Sequence, residues 1–328
     1  MTQTTVSLTA AEFRALFADV ATWDSSNRPG RWAGSGAIRH LTAERTAAAA
    51  GLVRTGTTVP LGRILDTHRG PANPAPAVHV MTSTPEPDGD LVTGPSSASG
   101  RTPAEPADRF ATDYVGLDYH HDTHSHVDAL CHVAFDGRLY GGAPVETVTS
   151  YGAEHASIAL LAAGLVGRGV LLDIPRVRGS RWVEPGQHVF RTDLEAAERE
   201  EGVRVGAGDI LLVRTGHARR LDELGPWDTS RVKAGLHPTT AIFLAEREMT
   251  ALGSDGNSDT APSTTEGVDF PLHVLAVSAI GIHLLDYLNF EDLAERCARE
   301  ERWEFLFVAA PLRIPGGTGS PINPLAIF

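Results

Sequence analysis

Cysteine is nearly absent from this chain: Cys131 and Cys297 are the only two in 328 residues. That excludes a disulfide framework. Aromatic residues are scarce at 6%. No apolar run reaches the roughly 20 residues that a bilayer-spanning helix needs. Positive charge is in deficit, with 28 Lys and Arg against 41 Asp and Glu for a net charge of −13. Such a surface repels nucleic acid, and no basic or aromatic recognition stripe offsets it. Glycine-rich phosphate loops of the Walker or dinucleotide type are missing, as is a Gly-x-Ser-x-Gly nucleophile elbow. The first residues, Met1 to Ser7, lack the charged and apolar regions of a signal peptide, so a cytoplasmic location is the default expectation.

Histidine is concentrated instead of scattered. Five of the 14 histidines, His120, His121, His124, His126 and His132, fall within thirteen residues, with Asp122 and Asp128 among them. Imidazole and carboxylate are the usual ligands of Zn²⁺, Mn²⁺ and Fe²⁺. If residues 121–128 are extended, alternate side chains share a face. Asp122, His124, His126 and Asp128 then converge on one side, and His132 lies where the strand would turn back over them. Cys131, between apolar neighbours, reads as a small buried residue.

The hydrophobic content of 42% supports a globular core. Thr9 and Glu12 form a capping box ahead of the Phe13, Leu16, Phe17, Val20 stripe, which predicts a helix. Residues 42–55 predict a second, stopped by Gly56, so that residues 1–60 read as an N-terminal helical extension. Residues 82–109 and 256–269 read as long surface loops. Gly169–Ile174, Gly208–Gly216, Leu252–Asp255, Ile280–Asp286 and Trp303–Leu312 read as strands. Helices are expected from a capping box at Thr192 and Glu195 to Gly202, from His237 to Met249, from Pro271, and after Asn289. The alternation predicts one α/β domain over 1–328, with a mixed sheet or β-barrel-like core surrounded by helices.

The histidine segment resembles the signature of the cyclase-like metal-dependent hydrolases, the family of kynurenine formamidase and isatin hydrolase: His-x-Gly-Thr-His-x-Asp-x-Pro-x-His. His126, Asp128 and His132 match it, with Ser125 at the threonine position. Asp136–Gly141, Gly208–Gly216 and Pro271–His273 look like pieces of the longer bacterial members. The chain departs from the signature at its first histidine, which aligns with Asp122, at its glycine, which aligns with His124, and at its proline, replaced by Leu130. The resemblance implies a swivelling β/β/α fold and a homo-oligomer, dimer or tetramer. It implies His126 and Asp128 as metal ligands and His132 as general acid/base. His124 is the preferred further ligand and Asp122 its rival. His273 and Asp286 match a later histidine and carboxylate of the family, for a second metal or the catalytic water. His217 and Asp255 are weaker candidates.

The implied cofactor is a divalent metal, Zn²⁺ or Mn²⁺, with Fe²⁺ as a further option. The implied function is hydrolysis of an amide, lactam, lactone or related acyl bond in a small molecule by metal-activated water. The alternatives are a lyase, dehydratase or cyclase using the same site, and a non-catalytic metal-binding protein. Phe135, Tyr140, Trp182 and Trp227 are the candidate stacking residues for a substrate.

Overall fold

A computed structural model describes residues 7–23, 34–83 and 111–328. Nine strands form its main sheet. In chain order they are β1 (Thr58–Pro60), β2 (His126–Asp128), β3 (Leu165–Asp173), β4 (Ile210–Arg214), β5 (Ala251–Ser254), β6 (His283–Asp286), β7 (Glu304–Ala309), β8 (Gly319–Pro321) and β9 (Leu325–Ile327). Their spatial order is β1-β9-β7-β3-β4-β5-β6-β2-β8. β3, β4, β5 and β6 run parallel. The flanking pairs are antiparallel.

Parallel neighbours need long crossovers, and helices supply them. α1 (Ala10–Val20) and α2 (Ala43–Ala50) precede the sheet; α3 (Arg191–Glu200) joins β3 to β4; α4 (His217–Leu224) and α5 (Ala241–Glu246) join β4 to β5. α6 begins as an α turn at Pro271–His273, continues as a π-helix over Val274–Ile280, and leads into β6; α7 (Glu291–Glu300) follows β6. The sheet is covered on both faces. Val170, Leu172, Leu211 and Val213 enter one core with Phe13 and Leu16 of α1, whereas Leu171, Ile210 and Leu212 enter the other with Leu293 and Cys297 of α7. This two-sided burial is why β3 and β4 read as unbroken apolar runs. The mixed, curled sheet with surrounding helices is the expected fold class.

Several local expectations shift. The capping box of α1 forms as expected, with Glu12 accepting from the Thr9 amide and Thr9 from the Glu12 amide. The helix after Thr42 stops at Gly51, not Gly56, because the chain turns to place the Thr55 and Gly56 amides on Phe328 O. α3 starts before Thr192: Asp193 accepts from the Phe190 amide at 2.7 Å and does the capping assigned to Thr192 and Glu195. From His237 a short 3₁₀ turn precedes α5, which ends at Glu246. The strand expected from Ile280 starts at His283, since Ile280 completes the π-helix and Gly281 takes a left-handed φ of 82°. Residues 121–124 bend, so the histidine strand covers only His126–Asp128. Residues 256–269 are not a surface loop throughout. Ser258 and Asp259 are buried because their side chains bond β6 and α6. Residues 84–109 of the other expected loop lie outside the described residues. Among the described residues, no helix is long and apolar enough to cross a membrane.

Glu201, at the end of α3, is buried beneath β3. One carboxylate oxygen accepts the Asp173 amide at 3.0 Å and the other has no hydrogen-bond partner. Burial raises its pKa from 4.5 to about 8. A carboxyl whose folded pKa is raised contributes stability that is full below pH 4.5 and is lost as pH rises toward 8. The loss is on the order of a few kcal/mol. Glu201→Gln should therefore flatten the decline of melting temperature between pH 5 and 8.5. An unchanged slope in thermal melts across that range would refute the assignment.

Candidate metal centre

β2 and β6 are antiparallel neighbours, with Asp286 opposite His126. His126 and Asp128 share one face of β2, while Val127 between them enters the core. After β2 the His132 amide bonds back to Ala129 O, and this turn returns the His132 ring over the strand.

The resulting cluster centres on Asp128. His120 Nδ1 lies 3.1 Å, His126 Nε2 3.5 Å and His132 Nε2 4.0 Å from its Oδ1. His273 Nε2 lies 3.7 Å from its Oδ2 and 3.1 Å from Asp286 Oδ2. The His120 and His132 rings stack at 3.9 Å with only 3° between their planes. Backbone and polar groups orient the members. The His126 Nδ1 faces His124 O at 2.8 Å, which leaves Nε2 for the cluster. Asp259 contacts His273 Nδ1 at 2.6 Å and accepts from the Leu272 and His273 amides. Ser258 and Asn257 donate to Asp286. His283 reaches Asp128 O at 2.8 Å from beneath the site. Such outer contacts fix tautomer and ring orientation in metal sites.

The residues fit a divalent cation. Both carboxylate oxygens of Asp128 and the Nδ1 of His120 are buried without a hydrogen bond, although His120 lies within ion-pair distance. An unsatisfied buried carboxylate is costly. Two triads, His120–Asp128–His132 and His126–Asp128–Asp286, each bring three potential ligand atoms within 4.8 Å of one another. The charges agree. Burial pulls the His273 imidazole down, but Asp286 and Asp259 outweigh it, so its pKa stands well above the usual value. Burial pushes Asp128 up, yet His132, His120, His126 and His273 together draw it below the carboxylate range. Burial, partly opposed by Asp128, pushes His132 down to about 4.

The expected residues divide. His126, Asp128, His132, His273 and Asp286 are brought together. His124 is not: its Nε2 sits 3.0 Å from Ala75 O, because the chain bends where an extended strand was expected. Its rival Asp122 turns away to Thr229 and Lys233. Asp255 is a helix cap, accepting from the amides of Thr215, Gly216 and His217 at the start of α4. Sequence reasoning missed His120, Asp259 and His283. His120 shares the even phase of His126 and Asp128, one step beyond the window considered. Asp259 carried no local signal.

A cavity of about 570 Å³ opens over the cluster, with Phe135, Phe270 and Tyr287 in its walls. A neighbouring one of about 980 Å³ is lined by Arg63, His217, Trp227 and Lys233. His120, His121, Asp122, Asp269 and Phe270 line both. These volumes suit a small molecule. Of the expected stacking residues, Tyr140 is in the core and Trp182 lines neither cavity.

Fold and site together define an α/β protein with a buried histidine–carboxylate centre beside a small-molecule cavity. Residues 37–259 match the family model described as "Putative cyclase", and the chain belongs to that family. It is similar to the isatin hydrolase of Roseibium aggregatum, 28% identical over 139 residues, or 41% of this chain. That match spans 50% of the curated relative's length. Among solved structures, a crystal structure of a novel cyclase superposes with a TM-score of 0.78 at 27% identity, covering 95% of this chain and 99% of the other. Isatin hydrolase A from Labrenzia aggregata, bound to benzyl benzoate, superposes at 0.57 with 22% identity, over 86% and 96% of the two chains, and shares the fold.

Ser125 ties the histidine segment to both cavities. Its buried hydroxyl accepts the Arg63 amide at 2.8 Å and donates to Tyr287 O at 2.6 Å. Ser125→Ala leaves both backbone groups unpaired and should cost about 1–3 kcal/mol. Urea unfolding would measure this, and an unchanged midpoint would contradict the bridging role.

Proposed function

We propose that the chain is a metal-dependent hydrolase of a small-molecule amide, lactam, lactone or related acyl bond. The carrying observation is the buried Asp128 carboxylate, without hydrogen bonds and ringed by four imidazoles. His126, Asp128 and Asp286 would hold a divalent cation, Zn²⁺, Mn²⁺ or Fe²⁺, with His273 at their edge. When bound, such a cation acidifies water and polarises a carbonyl.

The chain's own groups do the rest. Asp259 holds the His273 ring toward Asp286. His132, neutral at pH 7, accepts a proton at Nε2 and returns it to the leaving group. His120 stacks on His132 and fixes its plane; Thr318 in turn holds His120 Nε2 at 3.0 Å. Phe135 and Phe270 present apolar surface that limits bulk water near the cluster. The isatin hydrolase relative supports hydrolysis as the reaction class.

Elemental analysis of protein prepared without chelator should find at least one divalent metal per chain. Full activity in metal-free protein would sink the proposal. His126→Ala and Asp128→Ala should lose metal and turnover together. His132→Ala should keep most of the metal and lose about 10²–10⁴-fold in turnover; equal loss of metal would make His132 a ligand instead. In a screen over formamides, lactams and lactones run in ¹⁸O-water, label must enter the product carboxylate. A turned-over substrate without label would point to lyase or cyclase chemistry.

A further inference from the structure

The larger cavity carries three fixed cations in its lining: Arg63, Arg231 and Lys233. Two have acidic partners. Lys233 Nζ lies 3.5 Å from Asp122, and Arg231 lies 3.9 Å from Asp228. Arg63 is in no direct ion pair among the described residues, although Asp255, Asp122 and Asp222 act on its charge from further away. Its guanidinium donates to the backbone oxygen of Asp255 and lies over the Tyr287 ring at 5.1 Å. The backbone beneath it is fixed by the Ser125 hydroxyl and by Asn323, which accepts the Gly62 amide. A partly buried guanidinium without a directly paired carboxylate is an expensive arrangement unless an anion completes it. The surroundings favour an anion too. Burial pushes the His217 imidazole far down, and Arg63, Lys233 and Arg220 add to the effect, so these three cations gather on the His217 side of the cavity.

We infer that Arg63 is a specificity-determining residue that receives the carboxylate of a small organic acid. The planar guanidinium matches a carboxylate in two-point contact. A single guanidinium without a paired carboxylate suits a single negative charge; a doubly charged phosphate would face Asp122, Asp228 and Asp269 in the same lining. Pro226, Trp227 and Phe270 supply apolar wall for the acid's body. Because the two cavities share His120, Asp122 and Phe270, an acid anchored at Arg63 extends toward Asp128. Naming that acid as the substrate rests on the hydrolase reading; the carboxylate site itself does not.

Calorimetric titration with benzoate and with its neutral isostere benzamide tests this. It is run on the full chain, as isolated and after chelator treatment. In both preparations benzoate should bind about tenfold or more tightly than benzamide. Arg63→Gln should abolish the preference while leaving benzamide binding measurable in protein that still melts cooperatively. Arg63→Lys, which keeps the charge but loses the fork, should retain part of it. Four results would each overturn the assignment: no benzoate binding, equal binding of the two probes, a preference that survives in Arg63→Gln, or one that disappears on chelation, which would locate the carboxylate at the metal centre. A protein that hydrolyses no acyl substrate yet keeps an Arg63-dependent preference removes the hydrolase reading and leaves this one standing.

Discussion

The side chain of Asp128 is the constraint around which this protein is arranged. Its carboxylate is 1% exposed and both oxygens lack hydrogen bonds. The fold holds it there through the backbone. Asp128 lies opposite Gly319 of β8, the next amide bonds Thr318 O, and His283 of β6 reaches its carbonyl. β2 is only three residues long, yet it lies between two antiparallel partners. A free edge strand would let the carboxylate swing toward water; a paired strand does not. The surrounding imidazoles supply the electrostatic compensation that hydrogen bonds do not.

The adjoining cavities differ in their cations: Arg63, Arg231 and Lys233 line only the larger one. Acidic groups dominate around Asp128, where Asp259 and Asp286 converge on His273. In the neighbouring cavity Arg63 and Lys233 stand beside His217, with Asp122, Asp228 and Asp269 elsewhere in the lining. Asp122 and Lys233 pair at the boundary and neutralise each other there. A molecule lying across both would meet the Asp128 and Asp286 carboxylates at one end and the Arg63 guanidinium at the other, which favours one orientation.

Much of this was legible in the sequence, for identifiable reasons. The parallel strands were visible because two-sided burial makes them continuous apolar runs, and the cap of α1 because its hydrogen bonds are local. His126, Asp128 and His132 were visible because they share one short segment. His124 was misplaced because period-2 reasoning assumes an extended chain, and residues 121–124 bend. His273 and Asp286 needed the family resemblance, since nothing nearby in the chain marks them. Asp259 was hidden for the same reason: it acts through α6, and its loop looked like polar surface. Arg63 was invisible because its lack of a direct ion pair is a property of packing, which no local pattern encodes.

The pairing of β2 with β6 has a consequence for how the centre comes into being. Its histidine-rich half lies at residues 120–132 and its other half at 259–286, so the two are separated by well over a hundred residues of chain. β6 reaches its place only as the last of four parallel strands, whose contacts are non-local and close slowly. The ligand set therefore cannot exist in an early, locally ordered chain. Cation capture would then belong to the end of folding, and a captured ion would bolt together segments far apart in the chain.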